Sequence, residues 1–320
     1  MALTMVLGFT IAYAIVMIMA LVGNLLLIYI VWKKPETRGL TSFLFVNMAV
    51  ADLLVTVFQM PISMAHFYSN VMSGVAGDLF CKFFHYLMQV SLTASILSLV
   101  VMAFDRYVAV IQPLRRKMWF RRAKIIVPVI WIASWTFMAV TLTSYEVNHA
   151  KCHYTEKHIP RVVLWTYLLV INYVLPLTII TALYSKVARK IWFHEIPGQK
   201  EISRNLVAVQ IPKRTVLRTL ILIVVVFAVC WLPLQVLQMD FVVKAKITWH
   251  PAAVYFSSWL SQANSAINPW LYIVLNGKMN SAFRRMIRGH RVRSRGFSKK
   301  SQETAVVNSL RNAIIEDTVV

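Results

Sequence analysis

The stretch Leu44-Phe45-Val46-Asn47-Met48-Ala49-Val50-Ala51-Asp52-Leu53-Leu54 sets one carboxylate inside an otherwise apolar run. Read outward, the run covers Thr41–His66, long enough to cross a ~30 Å hydrocarbon core as a helix. Six more stretches have the same character: Leu7–Trp32, Phe80–Val110, Ile125–Ser144, Val162–Ala188, Val216–Val242 and Val254–Leu275. Their length argues against a β-barrel, whose strands are about ten residues long and alternate in polarity. Of 320 residues, 58% are hydrophobic and only 14% charged, too few charges for a soluble surface. Three cysteines do not make a disulfide scaffold, and nine Gly with eleven Pro do not make a collagen or a linker. The expected fold class is an all-α membrane protein: a seven-transmembrane helix bundle with a short amphipathic eighth helix. Pro61, Pro128, Pro176, Pro233 and Pro269 fall inside the stretches and read as kinks, because a packed bundle offers other partners to the freed backbone groups.

The formal net charge of +22 sorts itself by topology. Of the 34 basic residues, 28 lie in the segments and helix ends after spans 1, 3, 5 and 7, against seven acids, giving +21 on one face. The other face carries +2. Basic residues collect on the cytoplasmic side, so the N-terminus is expected outside and the C-terminus inside. Leu7–Trp32 contains Asn24 and runs into Lys33-Lys34, which reads as a signal anchor rather than a cleaved leader. The segment from about Phe193 to Lys213, with Pro197-Gly198, is expected to be a mobile inner connection. Within Ser281–Arg291, Phe283, Met286 and Ile287 fall on one side and Arg284, Arg285 and Arg288 on the other, a pattern that lies on anionic inner-leaflet lipid. Residues 1–292 form the expected seven-transmembrane domain with its eighth helix, and 293–320 a polar tail with disorder expected after Arg295.

Asp52 has no basic residue in the interior of any span to pair with, since Lys82, Arg106, Lys186 and Arg218 lie near span ends. A buried carboxylate takes up a proton or holds a cation. Asn24, Ser95, Asn264, Ser265 and Asn268 bring oxygen to similar depth, which suits a hard cation such as sodium. The plainer reading is that these groups only tie helices together, at about 0.6 kcal/mol each.

The motifs along the chain carry a resemblance. Gly23-Asn24-Leu25 lies in span 1, the Asp52 run in span 2, Asp105-Arg106-Tyr107 at the end of span 3, and Trp131 in span 4. Pro176 and Tyr184 lie in span 5, Phe227-Ala228-Val229-Cys230-Trp231-Leu232-Pro233 in span 6, and Asn268-Pro269-Trp270-Leu271-Tyr272 in span 7. In this order and at these depths the chain resembles rhodopsin-like, or class A, G protein-coupled receptors. Around Ala51–Pro61 and Gln89–Val101 it is most similar to neuropeptide receptors of the neuropeptide Y, neuropeptide FF and galanin type. The resemblance implies that Asp105 holds Arg106 at rest, and that Arg106 is released to line a G-protein cavity with Tyr184 and Tyr272. It also implies that Pro176, Ile96 and Phe227 form a packing switch beneath Trp231. The acid that often restrains this arginine from span 6 is replaced by Lys213, followed by Arg214, so measurable basal signalling is expected.

Cys81 opens span 3 on the outer, oxidising face, Cys152 lies in the second outer loop, and Cys230 is buried in span 6. Cys81 and Cys152 are therefore the expected disulfide. The aromatic pair usual in the first outer loop of the family is replaced by Gly74 and Ala76. Met88 stands where amine receptors carry an aspartate and Gln262 where opsins carry a lysine, which argues against a small amine and against retinal. Gln59, Gln89, Gln235, Gln238 and Gln262 offer neutral donors and acceptors suited to peptide amides, although glutamines in bundles also bond to one another. Asp240, Glu146 and Glu156 could meet a basic side chain at the pocket mouth. The expected ligand is an extracellular peptide, the expected transducer a heterotrimeric G protein, and the expected location the plasma membrane.

At the other end, Asp317-Thr318-Val319-Val320 places a hydroxyl two positions before a terminal valine, the pattern a PDZ domain takes up through Thr318 and Val320. Ser294, Ser298, Ser301, Thr304 and Ser309 could carry phosphate and recruit an arrestin-like partner. A transporter or ion channel using Asp52 as an intramembrane ion site is the competing reading, but the chain shows no repeats or broken polar helices. An enzyme is not expected: no metal cluster or Ser/His pair lies in the spans, and His66, His85 and His250 sit near outer ends where water reaches them. No nucleic-acid partner is expected either.

Overall fold

The computed structural model describes residues 3–65, 74–112, 123–148, 151–193, 203–244 and 249–288. Helix α1 is Leu3–Lys33. Helix α2 is one continuous rod made of Leu40–Leu54, a π-helical turn Val55–Gln59, and Met60–Ala65. Helix α3 is Gly74–Ile111, and α4 is Ala123–Met138 with a 3-10 extension Ala139–Thr143. Helix α5 joins Arg161–Leu169, a second π turn Val170–Val174, and Leu175–Phe193. Helices α6 and α7 are Ser203–Lys244 and Pro251–Leu275, and a last helix, α8, covers 277–288. Between α4 and α5 lies a hairpin, β1 Tyr145–Asn148 and β2 Lys151–Tyr154, antiparallel with Val147 opposite Cys152.

The prolines lie within these helices without ending them. Each π turn stands just before one, Pro61 and Pro176, where a wider turn relieves the clash between the ring and the carbonyl four residues back. At Pro269 the freed carbonyl is that of Ser265, and it accepts from Asn24 Nδ2 at 3.0 Å. Gly23, the neighbour of Asn24, admits this contact: a Cβ there would lie 2.8 Å from Pro269 Cγ and 2.8 Å from Trp270 Nε1. Helices α1 and α7 thus touch because Gly23 has no side chain. Across the bundle, Asn47 of α2 donates to Ser98 Oγ of α3 at 2.9 Å and accepts from Trp131 Nε1 of α4 at 2.8 Å. One amide fixes three helices.

Among the described residues six helices are long and apolar enough to cross a membrane, whereas α7 is more polar than the seven-span reading anticipated. Its inward face carries Ser257, Ser261, Gln262, Asn264, Ser265 and Asn268, all buried in the bundle. Outward faces are apolar, as at Ile11, Ile18, Trp32 and Ile132, each more than half exposed. The inner connection expected over Phe193–Lys213 is corrected in part: α6 begins at Ser203, because Leu206, Val207, Ala208, Val209 and Ile211 continue a helix with no glycine among them. Pro197-Gly198 lies outside the described residues, as do residues 289–320 with the tail serines, Thr318 and Val320.

Helix α8 starts four residues earlier than the sequence pattern, with Asn276 Oδ1 accepting from the backbone N–H of Lys278 and Met279 at 3.2 Å each. Met279 and Ala282 are buried, with Phe283 and Met286 packed on the same core. Ile287 is 43% exposed and does not join that core.

Candidate functional site

Three clusters of polar or switch-like residues are stacked along the bundle. In the middle, Ser265 Oγ of α7 donates to Asp52 Oδ1 at 2.8 Å, and Asn268 Nδ2 reaches Oδ2 at 3.5 Å. Asp52 lines a small cavity with Ser91 and Ser95 of α3, Asn264 and Ser265 of α7, and Trp231 of α6. The cavity encloses about 20 Å³, room for an occupant the size of a water or a small cation. Ser91 Oγ, Gln262 Oε1, Asn264 Oδ1 and Asn268 Oδ1 are buried without a hydrogen-bond partner among the described residues. Of the residues expected around a cation, the cavity is lined by Asp52, Ser95, Asn264 and Ser265, with Ser91 added, and Asn268 reaches Asp52 without being one of the walls. Asn24 is not one of the walls; its Nδ2 donates to the carbonyls of Ala20 and Ser265, and its Oδ1 is buried without a partner among the described residues.

Beside this cavity, Ile96, Phe227 and Trp231 belong to one buried cluster with Leu92 and Cys230. The Phe227 and Trp231 rings are 6.1 Å apart, and Tyr173 OH ties α5 to Ala228 O of α6 at 2.9 Å. Pro176 is buried just past the π turn of α5.

At the basic end, Arg106 donates to the Asp105 carboxylate and to Thr41 Oγ1, the latter at 2.7 Å. Tyr272 OH shares a hydrogen bond with Ser42 Oγ at 3.0 Å, and its ring stacks on Phe45 at 3.6 Å. The start of α2 thus holds the arginine of α3 and the tyrosine of α7 side by side, through residues that no motif had singled out. Tyr184 OH is buried with no partner among the described residues, and Lys186 Nζ lies 5.9 Å over the Tyr107 ring. The side chains of Lys213 and Arg214 lie outside the described residues.

At the other end, Cys81 and Cys152 form a disulfide with Cα atoms 5.7 Å apart, joining α3 to the hairpin. Asp78 Oδ1 accepts from Val147 N at 3.1 Å, a second tie between the same elements. Gly74, with φ +68°, starts α3 in a conformation that glycine tolerates. His85 is corrected: it is half-buried, stacked on Tyr145 at 4.0 Å with Nδ1 3.5 Å from Cys152 Sγ. Among the described residues the only cluster with metal-ligand spacing is Cys81, His85 and Cys152, and the disulfide consumes both thiols.

The hairpin roofs a cavity of about 420 Å³ lined by Tyr154, Trp165, Leu234, Gln238, Asp240 and Trp249 among others. The five glutamines do not share it. Gln238 lines it; Gln59 and Met88 face a closed crevice between α2 and α3; Gln262 donates to Ser63 at 3.2 Å; Gln89 accepts from Asn172 at 3.4 Å; and Gln235 is buried. Nor are the acids free: Asp240 is paired with Lys244 at 2.6 Å and accepts from Trp249, Glu146 is paired with Lys157 at 2.5 Å, and Glu156 with Arg161 at 3.3 Å. Lys157 holds the Glu146 carboxyl below its ordinary range, as Lys82 does that of Asp78. Exposed pairs of this kind are weak enough to exchange partners.

Comparison with known proteins agrees with this layout. Residues 23–272 match the family described as 7 transmembrane receptor (rhodopsin family). The chain is 30% identical to the allatostatin-A receptor of Bombyx mori over 90% of its own length and 81% of that protein. It is 29% identical to the RYamide receptor of Drosophila melanogaster, over 85% of this chain and 61% of that protein. To the substance-P receptor of Rattus norvegicus it is 28% identical over 87% and 70%. The chain therefore spans less than two thirds of the RYamide receptor. A family of receptors does not favour the transporter or channel reading of Asp52. The chain belongs to the rhodopsin family of seven-transmembrane receptors.

Proposed function

We propose that the protein is a plasma-membrane receptor for an extracellular peptide, with its N-terminus outside, and that it catalyses nucleotide exchange on a heterotrimeric G protein. The observation that carries this reading is the pair of grips at the start of α2: Thr41 on Arg106 and Ser42 on Tyr272. An arginine held this way is paired with Asp105 and three-quarters buried. Movement of α3 against α2 breaks the first grip and movement of α7 against α2 the second, while displacement of α2 breaks both and frees a guanidinium at the end where the +21 charge collects. That charge attracts an acidic protein surface and anionic lipid.

The peptide reading rests on three points. The relatives named above are receptors for RYamide, allatostatin-A and substance P. The cavity of about 420 Å³ is open, aromatic and edged by Gln238 and exchangeable ion pairs, which suits backbone amides and one basic side chain. A disulfide-fixed hairpin over it keeps the entrance in one shape. Trp231 lies in the wall of the Asp52 cavity and in contact distance of the Phe227 cluster, so displacement of the upper half of α6 is felt at both.

Asp52, Ser91, Ser95, Asn264 and Ser265 would hold a sodium ion: the donors are all oxygen, one carries charge, and the unpartnered oxygens line the same space. Such an ion would neutralise the carboxylate and tie α2, α3 and α7 together. Arrestin binding to the phosphorylated tail and capture of Thr318 and Val320 by a PDZ domain belong to the same proposal, supported by the sequence pattern alone. The test is a screen of peptides against membranes containing the chain, read as nucleotide exchange on a panel of G proteins. A peptide that raises exchange supports the reading; a broad panel with no response, by a chain shown to be at the surface, overturns it.

A further inference from the structure

The polar groups around the cavity under the hairpin are not equally satisfied. Three of its lining residues carry an aromatic N–H or O–H: Tyr154, Trp165 and Trp249. Tyr154 OH donates to the carbonyl of Ile159 at 2.5 Å, and Trp249 Nε1 donates to Asp240 at 2.8 Å. Trp165 Nε1 is buried with no acceptor among the described residues. A buried N–H in that state is costly, and so marks a place where an acceptor is taken up.

One helical turn before Trp165, on the same face of α5, stands Arg161. Its guanidinium lies 5.8 Å over the ring of Phe241, another lining residue, so α5 and α6 meet here through a cation and an aromatic face. The side chain is three-quarters buried, and Nε is buried without a partner among the described residues. Glu156 reaches the group through Nη1 at 3.3 Å and is itself 49% exposed. A pair so open to water exchanges partners readily. Asp240 is held more fully, with Lys244 on one carboxylate oxygen at 2.6 Å and Trp249 on the other at 2.8 Å. The acid at this cavity therefore has its own partners, whereas Arg161 and Trp165 each keep a buried donor in want of an acceptor. Beside a guanidinium, the acceptor that gains most is an anion.

We propose that the peptide bound here carries a carboxylate, which docks on the Nε edge of Arg161, with a carbonyl of the peptide on Trp165 Nε1. A planar carboxylate matches the parallel N–H bonds along one edge of a guanidinium. Glu156 shows that a carboxylate reaches this arginine, and, already half in water, it gives way to one that arrives with a ligand. An acidic side chain and a free C-terminus offer the same group. The proposal rests on the peptide reading above and adds the group that the peptide must carry. A pocket for amides alone would take a C-terminal amide, or Gln in place of Glu, equally well.

The experiment is affinity selection on the purified full chain in neutral detergent, from random synthetic heptapeptides made in three forms. One form is amidated and free of Asp and Glu, one is amidated with a single Glu, and one has a free C-terminus without Asp or Glu. Retained peptides are read by mass spectrometry, and Kd is measured for each beside its counterpart with Gln for Glu or amide for acid. The acid-bearing member should bind about tenfold more tightly, and the form retained tells a side chain from a C-terminus. Arg161→Gln should erase that preference. Acidic peptides are drawn to a chain of net charge +22 without any site, but one substitution hardly changes that attraction, so its effect reports the site. Glu156→Gln removes the competitor and should tighten the acid-bearing peptides up to about fivefold while leaving their neutral counterparts unmoved, a gain that misfolding cannot imitate. Equal binding of acid-bearing and neutral counterparts, or a preference that survives Arg161→Gln, overturns the carboxylate site and leaves the peptide reading standing. Retention of no peptide in any form overturns the peptide reading and this proposal with it.

Discussion

Replacing Asp52 by Asn removes the charge at the centre of the bundle while keeping the size of the side chain. Ser265 Oγ can still donate to the remaining carbonyl oxygen, as it does now to Oδ1 at 2.8 Å. The new amide faces Asn268 Nδ2, which lies 3.5 Å from the carboxylate, and a rotation of either amide relieves that contact. The fold should therefore survive, and what is lost is the one charged ligand in a cavity of about 20 Å³. A cation present at tenfold its Kd stabilises the folded state by about 1.4 kcal/mol. For a bundle of this size that is roughly 2–3 °C in Tm. The assay is thermal unfolding of the purified chain in sodium chloride against N-methylglucamine chloride at equal ionic strength. Wild type should gain those degrees in sodium and Asp52→Asn should gain none. An equal sodium response in both, or no response in wild type, refutes the cation site.

Three further outcomes follow from named contacts. Gly23→Ala puts a methyl group 2.8 Å from the Pro269 ring and the Trp270 indole, and should cost about 1–3 kcal/mol, seen as a lowered Tm; an unchanged Tm contradicts the close approach of α1 and α7. Thr41→Val removes one grip on Arg106 and keeps the shape, so basal nucleotide exchange should rise, by up to about tenfold if the bond is worth about 1.4 kcal/mol; basal exchange equal to wild type would show that the grip restrains nothing. Lys82 holds the Asp78 carboxyl below the ordinary aspartate value of 3.8, so its tie to Val147 is complete above that value and lost as pH falls through the lowered one. Exchange protection of the Val147 amide, corrected for intrinsic rates, should persist down to about pH 4, and loss of protection near neutral pH contradicts the pairing.

What could be read from residue types was whatever burial in a membrane makes costly. Asp52 stood out because nothing apolar surrounds a carboxylate without a reason, and its partners Ser265 and Asn268 lie on the helix that was read as facing it. The disulfide followed from which cysteines share a face. Pairings set by helix rotation were not legible in the same way. Asn47 and Trp131 were both visible as motif members, yet only the packing shows one amide joining three helices. Thr41 and Ser42 are ordinary helix-start residues, and nothing in their type announces that Arg106 and Tyr272 end there. The glutamines had the right chemistry for a shared pocket, but depth and rotation scatter them among separate partners. Asp240 had a lysine four residues on, a spacing that predicts their ion pair and could have been noticed.

The most direct test of the account is peptide-stimulated nucleotide exchange by Arg106→Ala beside wild type, with peptide binding measured on the same membranes. The guanidinium lies on the opposite end of the bundle from the cavity under the hairpin, so the variant should bind peptide as wild type does and lose at least about 90% of stimulated exchange, the tenfold effect of about 1.4 kcal/mol. Full stimulated exchange by Arg106→Ala would contradict it.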